Sequence, residues 1–259
     1  MAATMALTPS VAVFAQTHQE PLNLNLPSMG SVAGTDLSPL EEQMLGEEIM
    51  SQIRTDDAYL NDAETLDYLN HLGYRLVSVA NSHTYNFFFF PIIDHSLNAF
   101  ALPGGFIAVH SGLVVAAQSE SELAGVVGHE IGHVALRHSH KAWKSAMLRS
   151  AASDAIGAMS DTWASLSDSY LGGITSAALS AKHSRVHEEQ ADDYGYSFLK
   201  KCGKNPWAMG QAFQKLKKLS QSSSSKYDKL LYAFSSHPDF DSRISRMRSK
   251  AKKDGYTCD

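Results

Sequence analysis

His129 and His133 stand four residues apart, with Glu130 directly after the first, in the stretch Gly128-His129-Glu130-Ile131-Gly132-His133-Val134. On a helix, that spacing projects both imidazoles from nearly the same face, where they can grip one metal ion. Glu130 falls beside the pair, where a base for an activated water is needed. The competing reading is two surface histidines on a long helix. Val126, Val127, Ile131 and Val134 argue against it, because they would partly bury the triplet and buried polar groups need partners.

A second chemical segment follows about fifty residues on, Ser184-Arg185-Val186-His187-Glu188-Glu189-Gln190-Ala191-Asp192-Asp193-Tyr194. Glu188 and Asp192 are four apart and share a helical face. A catalytic zinc takes three protein ligands and leaves one position open, and two histidines with one carboxylate form a standard set. One of the two acids could bind metal while the other accepts the free N–H of a ligand histidine. A solvated charged helix face is the bland alternative. Later, Ser236-His237-Pro238 leads towards Arg243. His237 could donate to a developing oxyanion, swing in as a fourth ligand and silence the site, or serve only the turn. Arg243 could brace the loop or the site through a carboxylate.

The elements that must hold these groups read mainly as helices. Ser38-Pro39-Leu40-Glu41 opens a helix to about Arg54 with a capping box and a proline in its first turn. After Asn61, Leu66, Leu69, Leu72, Leu76 and Val79 make a core-facing helical stripe. Tyr85 to Ile93 reads as a strand buried on both faces, weakened at its far end by Pro91. Asn98-Ala99-Phe100-Ala101 and Phe106 to His110 read as two short strands joined by Pro103-Gly104-Gly105. Such a hairpin could wall the cleft and offer an edge to an extended peptide, although Phe100 itself reads better as core. Ser119 opens the helix carrying His129 and His133, expected to reach about His140 with His138 and His140 solvated. The second acidic helix should end at Gly203. Asn205-Pro206 opens another to about Ser220, with Leu216 and Leu219 inward, then a serine linker at 222–225 and a final basic helix.

Composition sets the outer bounds. The 259 residues are 44% hydrophobic and 19% charged, with a net charge of -5, enough for a real core and without a basic run that would suit nucleic acid. Met1 to Ala15 carries no charge and reads as a secretory signal cut after Ala15, short of its usual basic start; a disordered N-terminus is the alternative. Residues 16–36 read as a flexible leader and 37–259 as one domain. Cys202 and Cys258 could form a bridge, with two free thiols the alternative. The Ala-, Ser- and Gly-rich stretch 145–180 suits a lid, a loosely packed helical pair or a membrane-surface element, and helical filler is its plainest reading. No apolar run there is long enough to span a membrane.

Taken together, His129-Glu130-x-x-His133, Ser184-Arg185-x-x-Glu188-x-x-Ala191-Asp192, Asn98-Ala99-Phe100-Ala101 with Gly104-Gly105, and Ser236-His237-Pro238 resemble the gluzincin metallopeptidases of the HtpX and CAAX prenyl protease family. The likeness covers about residues 36–250 and is strongest to periplasmic members. It implies an α+β, mainly helical protease domain with a small sheet beside the active-site helix. It also implies one Zn2+ per chain on His129, His133 and Glu188, with Glu130 as catalytic base and Asp192 behind a ligand. Beside the resemblance, the residues themselves offer His237 and Arg243 as groups that could assist catalysis, and Asn98, Ala99, Phe100 and Ala101 as a strand that could bind substrate. Implied substrates are unfolded or misassembled envelope proteins, outer-membrane proteins among them. The flanking membrane spans of some members, a repeat domain after the protease segment and a lipid-attachment cysteine are not expected, which implies a soluble or membrane-peripheral periplasmic enzyme.

Overall fold

The computed structural model describes residues 37–80, 84–138, 141, 183–221, 237 and 239–258. The expected signal and leader, the 145–180 stretch, the serine linker, His140 and the Leu219 side chain lie outside the described residues.

Local signals set most helix starts. Helix α1, Pro39–Ile53, begins with the complete capping box, Ser38 and Glu41 each satisfying the other's backbone N–H. Helix α2, Ala63–Val79, starts at Asp62 and buries Leu69, Leu72 and Leu76 as the stripe requires. Strands β1, Phe88–Ile92, β2, Ala99–Ala101, and β3, Phe106–His110, form one sheet in the order β1-β3-β2. β3 runs parallel to β1 and antiparallel to β2, so the expected hairpin forms, its connection a 3-10 turn over Pro103–Gly105. Gly104 takes φ 79, a conformation that glycine adopts freely. Pro91 does not end β1, which continues to Ile92: its carbonyl turns away from β3 to accept from the Leu60 N–H, so the missing N–H falls on the outer side of the strand and not in the ladder to β3.

Side-chain alternation divides the core. Phe89, Ile107, Val109, Ala99 and Ala101 face one cluster, while Phe90, Ile92, Phe100, Phe106 and Ala108 face another. The second is closed by Ile49, Met50 and Ile53 of α1. The first is closed by α2, by α4, Glu120–Ala135, by α5, Arg185–Lys201, by α6, Trp207–Gln221, and by α7, Phe240–Lys253. A short helix α3, Ser111–Ala116, joins β3 to α4.

Helix α4 is buried at every residue from Glu122 to Val134, so it is the core helix of the molecule. Its cap is half a box: Ser119 accepts from the Glu122 N–H, but the Glu122 carboxylate turns to the Gln118 N–H and to Lys215. α4 also stops earlier than expected. It ends at Ala135, and Arg137 reverses the chain at φ 57. Helix α5 ends as expected, with Gly203 at φ 68 and the Lys204 N–H returning to the Leu199 carbonyl. Cys202 and Cys258 are free thiols, hydrogen-bonded to the carbonyls of Arg75 and Arg248 respectively.

Candidate metal centre

His129 and His133 project from α4 with their Nε2 atoms 3.0 Å apart. Glu188, on the first turn of α5, brings a carboxylate oxygen within 3.5 Å of the first and 3.4 Å of the second. His237, just before α7, adds its Nδ1 at 3.3 Å from His129 Nε2 and 3.0 Å from Glu188. One ligand atom from each of these four buried residues lies within 4.8 Å of the others. Three imidazole nitrogens and one carboxylate, closely convergent and shielded from water, fit a zinc-sized divalent ion.

The two acids of α5 divide their work. The Asp192 carboxylate is 2.9 Å from His129 Nδ1, so it accepts from the far side of that ring and leaves Nε2 facing the cluster. Arg243, from α7, makes a bidentate pair with Asp192 at 2.9 and 2.7 Å and reaches Glu188 at 2.7 Å. Its guanidinium lies 4.3 Å from the Phe213 ring centre and 5.6 Å from that of Phe240. The planar fork meets two carboxylates and two rings at once, which a lysine could not do.

Electrostatics follow from burial against charge. For Glu188, burial alone would raise the pKa, but His237, the His133 hydrogen bond and His129 hold it well below the usual carboxylate range. Asp192 is likewise lowered, Arg243 and His129 outweighing its burial. Glu130 goes the other way: burial raises it against the pull of His237 and His129. Its carboxylate is 3.6 Å from His237 Nε2. The His237 ring is raised, the charges of Glu188 and Glu130 exceeding its burial.

A cleft opens on this cluster, lined by Asn98, Ala99, Val126, His129, Glu130 and His237, among others. Among the described residues no strand covers the outer edge of β2. The Asn98 side chain is buried, and among the described residues neither of its polar atoms has a hydrogen-bond partner. Phe100 points to the opposite face of the sheet, against His110 and the α1 core, and Ala101 packs into the core on the cleft side of the sheet. The alternation therefore splits Asn98 to Ala101 into side chains that line the cleft and others that only anchor the strand.

Two histidines beside the site were placed wrongly or passed over by the sequence pattern. His138, expected in solvent, is buried, because the reversal at Arg137 returns it beneath His133. Burial and neighbouring His187 push its pKa down to about 4. His183 stacks on His133 at 4.0 Å between ring centres, and burial, with His237, pushes it down to about 2. The position directly before the Ser184 cap was the only signal for His183. His133 itself is held well below the ordinary histidine value, by burial and then by His183 and His129.

A model of peptidase family M48 matches residues 64–251. Among curated proteins, the chain is 36% identical over 245 residues to a putative beta-barrel assembly-enhancing protease of Vibrio cholerae, covering 89% of this chain and 48% of that protein. It is 34% identical over 235 residues to the beta-barrel assembly-enhancing protease of Escherichia coli, covering 88% and 47%. Metalloprotease LoiP of Escherichia coli is 32% identical over 186 residues, 70% of this chain and 71% of that protein. The chain thus spans about half the length of the first two.

Proposed function

The chain belongs to peptidase family M48 and is a metallopeptidase, and on that premise we propose that it is a zinc endopeptidase of the cell envelope, hydrolysing peptide bonds in misfolded or unassembled proteins. The observation that carries the reading is the buried four-donor cluster with Glu130 beside it and, along its cleft, a strand edge that is unpaired among the described residues. In this reading His129, His133 and Glu188 hold one Zn2+, which when bound would polarise the scissile carbonyl and acidify water. Glu130 takes the proton of the attacking water and delivers it to the leaving amine. Its raised affinity for protons, set by burial, suits that shuttle. Asp192 and Arg243 hold the ligands His129 and Glu188 in place. The β2 edge aligns an extended substrate by main-chain hydrogen bonds, with the Asn98 amide free to join them.

The beta-barrel assembly-enhancing relatives, by name, act in beta-barrel assembly, which supports β-barrel proteins as substrates; in this reading those are outer-membrane proteins and the compartment is the periplasm. Among the described residues no helix is long and apolar enough to cross a membrane. Peripheral membrane contact fits the same reading.

A second reading has its own observation. His237 reaches the ligand cluster, and a closed set of four protein ligands is the mark of a structural or silenced site. The chain would then be a chaperone-like peptide-binding module with a gated or structural zinc. Measuring bound zinc and casein cleavage for wild type, Glu130→Gln and His237→Ala separates the two. The protease reading expects Glu130→Gln to keep zinc and lose cleavage, and a gate expects His237→Ala to cleave faster. Undiminished cleavage by Glu130→Gln would sink the enzyme assignment, and inactivity of both wild type and His237→Ala would favour the binding module.

A further inference from the structure

The two ligand histidines of α4 are braced differently. His129 turns its Nδ1 to a carboxylate, Asp192, at 2.9 Å. His133 turns its Nδ1 to another imidazole, the Nδ1 of buried His138, at 3.1 Å. Two ring nitrogens at that distance need one proton between them, so one ring must donate and the other accept. His133 can use Nε2 as a ligand only if that nitrogen is bare, which puts its proton on Nδ1. His138 must then offer a bare Nδ1 and carry its own proton on Nε2, where the Gln190 Oε1 stands 3.1 Å away to receive it.

We propose that His138 is a positioning residue for His133, fixing the ligand's tautomer and ring angle through this Nδ1 to Nδ1 hydrogen bond, with Gln190 setting the direction of the chain from its outer end. The inference rests on the zinc reading of the site. The opposite direction needs the Gln190 amide turned over to donate its NH2: His133 would then carry its proton on Nε2, 3.4 Å from Glu188, and could not ligate.

The backbone supports a placement that matters. A continued α4 would swing residue 138 about 140° around the helix from residue 133. Instead Arg137 adopts φ 57, uncommon for a side chain with a Cβ. That turn is pinned from outside, since Arg137 pairs with buried Glu42, which also accepts from Tyr85 Oη at 2.8 Å. His187 stacks on the His138 ring at 4.1 Å between centres, nearly parallel, and fixes its plane.

The test is zinc affinity, by competition with a chromophoric chelator, for full-length wild type, His138→Leu and His138→Asn, with melting of the chelated proteins alongside. Asn keeps an acceptor near the lost Nδ1, and Leu does not. Expected is a loss of about tenfold or more for His138→Leu, with His138→Asn restoring most of it. Equal affinity in all three, or equal weakness of both variants with unchanged melting of the chelated forms, overturns the proposal. Absence of zinc binding by wild type overturns both it and the reading beneath it. If the variants fail to fold, nitrogen-15 spectra of histidine-labelled, zinc-loaded wild type decide. Protonated Nδ1 on His133 with protonated Nε2 on His138 is expected, and protonated Nδ1 on His138 is the contrary result.

Discussion

Asn98 carries a buried amide whose nitrogen and oxygen both lack a hydrogen-bond partner among the described residues, a condition that costs a folded protein about 1–3 kcal/mol for each unsatisfied group. A side chain kept in that state at the mouth of a cleft is better matched to a substrate's backbone than to its own fold. Asn98→Ala should therefore lower kcat/KM about 3- to 10-fold, the worth of one neutral hydrogen bond, while leaving thermal stability equal or higher. Parallel losses of activity and stability would mean that Asn98 serves the fold. Residues of this kind were legible to different degrees. His129, Glu130 and His133 could be read because their relation is local, three positions on one helix. Glu188 and Asp192 could be read only as a pair, since which acid ligates depends on where α5 crosses α4. His138 could not be read, because an arginine in the left-handed conformation leaves no mark that separates a reversal from a further helical turn. His183 comes to His133 through tertiary packing alone.

Helices α4 and α5 meet through small residues. A Cβ added at Gly132 would stand 2.9 Å from Tyr194 Cβ and 3.1 Å from Ala191 Cα, and one at Gly128 would stand 3.2 Å from Gly195 Cα. Gly128 and Gly132 lie on the face that receives α5, while Gly125 faces Met209 of α6, and the close approach of α5 lets Glu188 reach the α4 histidines. Gly132→Ala sets about 1 kcal/mol of improved helix propensity against about 1–3 kcal/mol of overpacking. The clash falls on backbone and Cβ atoms that cannot swing aside, so packing wins. Lower stability of the chelated protein and weaker zinc binding are expected together, measured by denaturant midpoint and chelator competition. Unchanged zinc affinity would mean that the helix spacing has slack. Helix starts were legible at Ser38, Ser119 and Ser184 because a cap is a local hydrogen bond. The end of α4 was not, since Glu42 and Tyr85 hold it from other elements.

Across the whole molecule, the donors come from α4, α5 and the approach to α7; of the histidines around them, His138 is buried and His183 half-buried. Acid should therefore unfold the metal-free protein from the site outward. His133, His138 and His183 all have folded pKa values below the ordinary 6.5, the latter two at about 4 and about 2. A base with a depressed folded pKa contributes stability that is fully present above its unfolded value and lost as pH falls, because the unfolded chain takes up the proton first. Each such histidine removes about 1.4 kcal/mol per pH unit below pH about 6.5; His138 stops near 4 and His183 continues lower. Glu188 and Asp192, with lowered pKa values, extend the loss below the ordinary carboxylate range. His237 has the opposite sign: its raised pKa gives stability at low pH that fades as pH rises through the folded value, so below 6.5 it adds no slope and does not offset the others. Urea midpoints of chelated protein should fall steeply between pH about 6.5 and about 5, and zinc should restore the midpoint at neutral pH more than at the acid end, where protons compete for the same nitrogens. A midpoint level across that window would mean that these rings take protons while folded, and the hydrogen-bonded packing of His138 against His133 would not survive it.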